Sequence, residues 1–434
     1  MNTATRELRD LDKAHLWHPF TAMRDWGAPG HDPLVIERGE GAWLVDTEGN
    51  RYLDGNSSIW TNIHGHNHPV INAAVRAQLE KIAHCSALGF TNEPAIRLAA
   101  ALTALFPPDT LTRVFYTDDG STAVECACKM ALQYFQLTGR PERRRFAAFD
   151  RAYHGDTAGA ASLGGIATFH DRFRRDGFEV ARLGGLDDLL ALPESETKTL
   201  AALAIEPLVQ GAAGMRLWPP GMLRELRDWC DRRGVLLIFD EVLTGFGRTG
   251  KLFACRHEGV WPDFLALAKG LSGGYLPLAA TLTTEEVFSA FLGAPEEGKT
   301  FYYGHSYCGN PLGCAAALAS LSLFGPDPTG FGLGPNPVGL KNALESRFGD
   351  HPKVAAIRQI GLIAAIDLVR DRATGEAFPA ADGVGARVCL AARKHGLLTR
   401  PILDTLVFLP PLCVTAEEIE LGVEALARAV AEVL

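Results

Sequence analysis

Two ionisable residues stand at the ends of strand-like apolar runs. Asp240 closes Val235-Leu-Leu-Ile-Phe-Asp240, and Lys269 closes Phe264-Leu-Ala-Leu-Ala-Lys269 before Gly270-Leu-Ser-Gly-Gly274. A lone charge in such surroundings is costly to bury, so each needs a partner. One group could serve both: the aldehyde of pyridoxal phosphate condenses with a lysine amine, and its protonated ring nitrogen pairs with a carboxylate. The same two residues would also suit a buried structural ion pair, or a carboxylate capping a turn, and their neighbours have to decide.

Those neighbours carry chemistry at matching places. The spacing predicts strands over 113–116, 145–149, 200–205, 235–239 and 264–268. Helical periodicity separates them, the pattern of a mostly parallel sheet covered by helices. Directly after these strands come Gly120-Ser121, Tyr153-His154, Glu206 with Gln210, Asp240 and Lys269. Ligands of open α/β sheets gather at the carboxyl ends of the strands, so these segments point to one site. Val124, Ala127, Cys128, Ala131, Leu132 and Phe135 recur at helical spacing, and a helix starting at Gly120-Ser121 offers backbone N–H groups to a phosphate. The ring of Tyr153 could lie flat on a cofactor ring, although an aromatic there equally serves the core.

Three other patterns are weaker. Gly293-Ala-Pro-Glu-Glu-Gly298-Lys299-Thr300 fits the Walker A spacing but follows a helical stretch and carries two glutamates where phosphates would sit, so it reads as a surface loop. Gly245-Phe-Gly247-Arg-Thr-Gly250 fits the dinucleotide fingerprint, yet no long amphipathic helix follows it to receive a pyrophosphate. The histidines of His64-Gly-His66-Asn-His68 alternate as metal ligands sometimes do. Without a neighbouring cysteine or carboxylate they read as a turn with hydrogen-bonded imidazoles, and no metal is expected.

The chain of 434 residues, 47% hydrophobic and 21% charged, is long enough for two domains. Its formal net charge of −9 disfavours nucleic acid and anionic membrane as partners, because both demand clustered basic residues. The charged start, with Arg6, Glu7, Arg9, Asp10, Asp12 and Lys13, lacks the apolar core of a secretory leader. No apolar run reaches the ~18 residues of a membrane helix, and a cytoplasmic protein with nine reduced cysteines is expected. The Gly/Pro-rich stretch 325–337 marks a boundary. On that division residues 66–325 form a large α/β domain with a mostly parallel sheet. Residues 326–434 form a smaller α+β domain, with a helix over 340–348, strands over 362–369 and 406–408, and a terminal helix. Residues 1–65 are an N-terminal segment that completes the small domain and reaches the active site.

Taken in order, the motifs resemble those of the class III pyridoxal-phosphate aminotransferases, of fold type I, over essentially the whole chain. They are Asp118-Asp-Gly-Ser-Thr-Ala-Val-Glu125, Tyr153-His-Gly-Asp-Thr157, Glu206-Pro-Leu-Val-Gln210-Gly, Asp240-Glu-Val-Leu-Thr-Gly-Phe-Gly-Arg248-Thr-Gly250 and Leu267-Ala-Lys269-Gly-Leu-Ser-Gly-Gly274. The resemblance implies that Lys269 binds the cofactor aldehyde and moves protons, that Asp240 holds the ring nitrogen and that Tyr153 stacks on the ring. Gly120 and Ser121 would hold the phosphate and Gln210 would lie near the ring hydroxyl. Ser306 would reach the phosphate of a partner subunit, which makes the protein a homodimer with shared sites. Trp60, Tyr153, Asp156, Arg248 and Gly304 would contact the substrates, a small-molecule amino donor and a keto acid, and Arg400 would clamp the keto acid carboxylate with its planar fork.

Within the family, His15-Leu-Trp-His-Pro-Phe20, Ser57-Ser-Ile-Trp60 and Thr399-Arg400-Pro look like the members of biotin synthesis. Those aminate 8-amino-7-oxononanoate with S-adenosylmethionine or, in one branch, lysine. Phe20, Ile59 and His305-Ser306 depart from the better-known members and look closer to the lysine-using branch. The other reading is an ω-aminotransferase for a different amine donor and keto acid or aldehyde.

Overall fold

The computed structural model describes residues 3–173 and 176–434. Three strands come first, β1 (Ile36–Glu40), β2 (Trp43–Asp46) and β3 (Arg51–Asp54). The middle of the chain supplies β4 (Arg113–Thr117), β5 (Arg145–Phe149), β6 (Val180–Leu183), β7 (Leu200–Ile205), the short pair β8 (Val209–Gln210) and β9 (Arg216–Leu217), then β10 (Leu236–Asp240), β11 (Phe264–Leu267) and β12 (Ala279–Thr283). The last part adds β13 (Val354–Ile360), β14 (Ile363–Leu368), β15 (Leu397–Leu398), β16 (Pro401–Ile402) and β17 (Thr405–Phe408).

Seven strands form the central sheet in the order β4-β12-β11-β10-β7-β5-β6. Only β12 runs against its neighbours, so the sheet is mostly parallel. Every residue of β7 is buried, as a strand covered on both faces must be. Successive side chains of β10 alternate between two cores: Leu237 and Phe239 join Leu223, Leu226 and Trp229 on one face, and Ile238 joins Ala127, Ala131 and Phe146 on the other. The helix Gly120–Leu137 supplies the second face, burying the row predicted from its spacing except Leu132, which packs partly buried against it.

A further core draws on both ends of the chain. Ala42 and Leu53 pack with Leu344, Ile366, Phe408 and Leu426. β3 pairs in parallel with β15, Leu53 opposite Leu397, which carries the N-terminal sheet into the C-terminal part. There β13, β14, β17 and β16 form an antiparallel sheet, backed by the helices Asn336–Phe348 and Ala416–Val433. The first of these starts four residues before the predicted 340, because Pro337 fits a helix's first turn, where no N–H is needed. Among the described residues no helix is long and apolar enough to cross a membrane.

The weaker motifs resolve locally. Pro295–Glu297 is a single exposed turn, and Lys299 is tied to Glu297 at 2.7 Å. His64 Nε2 lies 3.1 Å from Ser320 Oγ and His66 Nε2 lies 2.9 Å from Asp54 Oδ2, so these imidazoles are hydrogen bonded as expected.

Candidate active site

A cavity of about 1270 Å³ opens at the carboxyl ends of the central strands. Gly120, Ser121, Tyr153, Asp156, Glu206, Asp240 and Lys269 line it from the central sheet, Trp60 from the N-terminal segment and Arg400 from the C-terminal one. Asp240 is the last residue of β10, in register with Ala266 of β11. Lys269 follows β11 by two residues and opens a tight turn at φ +46°, so the chain leaves the sheet where the amine is needed.

The electrostatics of the pair follow from their surroundings. Burial holds the Lys269 amine below its usual range; Asp240 and Glu206 oppose that shift and Arg248 adds to it. An amine so depressed has more of the neutral form that attacks a carbonyl or accepts a proton. Asp240 is 5% exposed. One of its oxygens lies 2.7 Å from His154 Nδ1 and the other accepts from Val242 N at 3.1 Å. With a carboxylate as acceptor the imidazole donates from Nδ1.

The helix beginning at Gly120 is capped by Asp119, whose Oδ1 accepts from Thr122 N at 3.0 Å, and its dipole favours an anion at that end. Glycine is required at 120, since a Cβ there would fall 2.6 Å from Val242 Cγ1. Gly155, at φ +114°, passes so near that a Cβ would lie 2.2 Å from Ser121 Oγ. Ser121 Oγ itself accepts from Thr157 N at 2.9 Å. An amine, a fixed carboxylate and a glycine-lined helix terminus around one cavity form a donor set that fits pyridoxal phosphate.

Tyr153 is set by its neighbours. Its hydroxyl donates to Asp156 Oδ2 at 2.6 Å and its N–H to Glu206 Oε1 at 3.0 Å, and its ring stacks on His170 with centroids 5.6 Å apart. Burial, then Asp156, pushes its phenol well above the usual range. The other oxygen of Glu206 accepts from Gly211 N at 2.9 Å. Burial pushes the Glu206 carboxyl up to about 7, with His154 opposing and Asp240 reinforcing.

Four expected site residues lie outside the cavity lining. Gln210 is buried beside it, Nε2 donating to Asp150 O at 3.0 Å and Oε1 without a hydrogen-bond partner. Arg248, expected to contact substrate, is instead 1% exposed. Its guanidinium donates to Pro410 O at 2.7 Å, Asn62 O at 2.6 Å and Ser57 Oγ at 3.2 Å. Those three oxygens belong to the segments that build the rim, so Arg248 braces the site from behind; burial lowers its pKa to about 9, with Asp54 opposing. Gly304 and Ser306 are exposed in the loop before the helix Pro311–Ser322 and do not line the cavity of their own chain.

The rim holds an unusual backbone. Ser57, Ser58, Ile59 and Trp60 have φ of +46°, +48°, +62° and +67°, a left-handed turn that costs L-residues roughly 1–2 kcal/mol each. It presents Trp60, whose ring centroid is 4.8 Å from Lys269 Nζ. His154, Glu206 and the Ser57–Trp60 geometry received no role from the sequence. The signal for the first two was their place directly after β5 and β7; the turn had none, since serine, isoleucine and tryptophan ordinarily argue against positive φ.

Comparison with known proteins follows the same lines. The family model described as aminotransferase class-III matches residues 26–430. An adenosylmethionine-8-amino-7-oxononanoate aminotransferase of Geobacter sulfurreducens is 48% identical, with 98% of each chain covered. The crystal structure of the enzyme of that name from Methanocaldococcus jannaschii is similar with a TM-score of 0.94 at 40% identity, covering 99% of each chain. An (S)-enantioselective omega-transaminase from Thermomicrobium roseum is similar with a TM-score of 0.90 at 34% identity, covering 100% of this chain and 99% of its own.

Proposed function

The chain belongs to the class III aminotransferases, with a fold type I architecture, and from that premise we propose that it aminates the ketone of 8-amino-7-oxononanoate to give 7,8-diaminononanoate in biotin synthesis. The observation that carries this reading is that Lys269, with Asp240 beside it, shares one cavity with Arg400: amine chemistry and a carboxylate fork meet in the same space. The volume of about 1270 Å³ exceeds what a single small ligand fills.

Pyridoxal phosphate, when bound, supplies an aldehyde to carry the amino group and a ring that withdraws electrons from the donor carbon. Lys269 would anchor it covalently, Asp240 would pair with its ring nitrogen, Gly120 and Ser121 would receive its phosphate and Tyr153 would lie on its face. Nζ of Lys269 takes the proton from the donor carbon, and in the second half it returns one to the carbon that was the acceptor's carbonyl. His154 and the Val242 N–H keep the Asp240 carboxylate in one orientation. Arg400 orients the acceptor through its carboxylate, and Asp156, joined to the Tyr153 hydroxyl, offers negative charge to a cationic donor, either S-adenosylmethionine or lysine.

A second copy of the chain completes the site in this reading. Leu88, Phe90, Tyr302 and Tyr307 are 78%, 73%, 88% and 60% exposed, apolar surface that a second copy would cover. It adjoins the loop carrying Gly304 and Ser306, which would then serve the partner's cavity. The cytoplasm would keep the nine unpaired cysteines reduced.

The test is amino transfer by the purified protein to 8-amino-7-oxononanoate, with S-adenosylmethionine and lysine supplied separately and the diamine followed by mass spectrometry. Diamine is expected with at least one donor. Diamine with neither, alongside turnover of 1-phenylethylamine with pyruvate, would replace this reading with an ω-aminotransferase, as the Thermomicrobium likeness allows.

A further inference from the structure

The left-handed turn Ser57–Trp60 is over-determined by residues that take no part in lining the cavity. Asp54, 1% exposed, accepts from Asn56 N and Ser58 N with one carboxylate oxygen, both at 3.2 Å. With the other it takes the Ser58 hydroxyl at 3.2 Å and His66 Nε2 at 2.9 Å. His66 Nδ1 is met by the Asn62 amide at 3.0 Å, and the Asn62 carbonyl receives Arg248. Ser57 Oγ donates to Leu409 O at 2.6 Å. Strands from the N-terminal segment, the 248 turn and the 409–410 segment thus converge on four residues whose backbone would relax without them.

The product of this convergence is a wall of the site. Ile59 and Trp60 line the cavity, the Trp60 indole is pinned by Nε1 donating to Asn56 Oδ1 at 2.9 Å, and its face meets the Lys269 amine. We propose that Asp54 is a positioning residue of the reaction: by fixing the left-handed turn it sets Trp60 against Lys269, and so sets the wall that holds the amino acceptor. The proposal rests on amino transfer at Lys269, whatever the acceptor proves to be. A shift of about 1 Å in such a wall costs on the order of 10²-fold in rate.

The test is a double-mutant cycle between Asp54→Asn and Trp60→Ala, read as kcat/KM with an acceptor that the parent enzyme turns over. The side-chain amide introduced by D54N keeps one acceptor oxygen for the backbone N–H groups but presents an N–H₂ to Ser58 and His66. D54N is expected to lower kcat/KM by roughly 10–100-fold with cofactor content unchanged, and D54N/W60A to be no slower than W60A, because Asp54 acts through Trp60. D54N/S58G should recover several-fold, since glycine adopts positive φ freely. In cofactor-free protein, hydrogen exchange of the amides of 58–62 should rise at least about tenfold in D54N. Parental kcat/KM in D54N, a loss that multiplies with that of W60A, or unchanged exchange would each overturn the proposal. Should D54N fail to accumulate, His66→Gln enters the same cycle, with non-additivity against W60A again required.

Discussion

At the floor of the cavity Asp240, Glu206 and Lys269 end or follow β10, β7 and β11, neighbouring strands of one sheet. Each is largely enclosed and held by short hydrogen bonds or by tight chain geometry. At the rim Ile59, Trp60, Arg400, Ile402 and Leu403 come from opposite ends of the sequence, and Ile59 and Leu403 remain 45% and 86% exposed. The floor is therefore fixed by the sheet register, while the rim depends on braces such as Arg248 and Asp54 that join distant segments. From this we infer a division of labour: the floor carries the amino-transfer chemistry and the rim chooses the molecules.

Substitutions that disable the floor should spare no substrate. Lys269→Ala is expected to lower amino transfer by more than about 10⁴-fold with every donor and acceptor, since anchor and base are lost together; activity within tenfold of the parent would break the comparison at its centre. Asp240→Asn should cost about 10²–10³-fold, the scale of removing one preorganised electrostatic partner, with acceptor KM little changed in steady-state kinetics. Gly120→Ala forces a Cβ to 2.6 Å from Val242. Overpacking of that kind, about 1–3 kcal/mol, should weaken cofactor affinity roughly ten- to hundredfold by equilibrium dialysis.

The smallest effects are in stability, and their signs differ across the site. Glu206 keeps its proton in the folded chain up to about 7 against an ordinary 4.5. The folded state therefore binds the extra proton between those values, and stability falls as pH rises through that window. His64, beside the rim turn, is depressed to about 4 from 6.5 by burial, then by His68. There the unfolded state binds the extra proton, so stability falls as pH drops from 6.5 to 4. Glu206→Gln should remove the first slope and His64→Gln the second, each by about 2–4 °C in Tm across its window; matching slopes in the two variants would contradict the assignment.

The sequence reveals the floor more fully than the rim. Apolar runs of four to six residues ending in Gly120-Ser121, Tyr153, Asp240 and Lys269 announce a parallel sheet and its ligand edge, and β5 and β7 fall on the predicted residues. The antiparallel β12 carries no such mark: Ala279–Thr283 is a short run of small residues broken by two threonines, although it is buried throughout like β11. The pairing of β3 with β15 joins residues far apart in the chain, and local periodicity does not report on distant partners. Arg248 misleads for a related reason: it sits in a glycine-rich turn after a strand end, where ligand-binding residues gather, yet the oxygens it satisfies are the Ser57 hydroxyl and the backbone carbonyls of Asn62 and Pro410. The left-handed turn is a tertiary property, imposed against the preference of its own residues.

The division between floor and rim is tested most directly by Arg400→Ala, assayed in parallel with 8-amino-7-oxononanoate and with an analogue of it lacking the carboxylate. Loss of a charge-assisted fork, about 1.5–3 kcal/mol, should reduce kcat/KM for the keto acid roughly 10–150-fold and leave the carboxylate-free analogue within about twofold of the parent. Equal losses on both would mean that Arg400 serves the chemistry or the fold, and the floor and rim would not be separable.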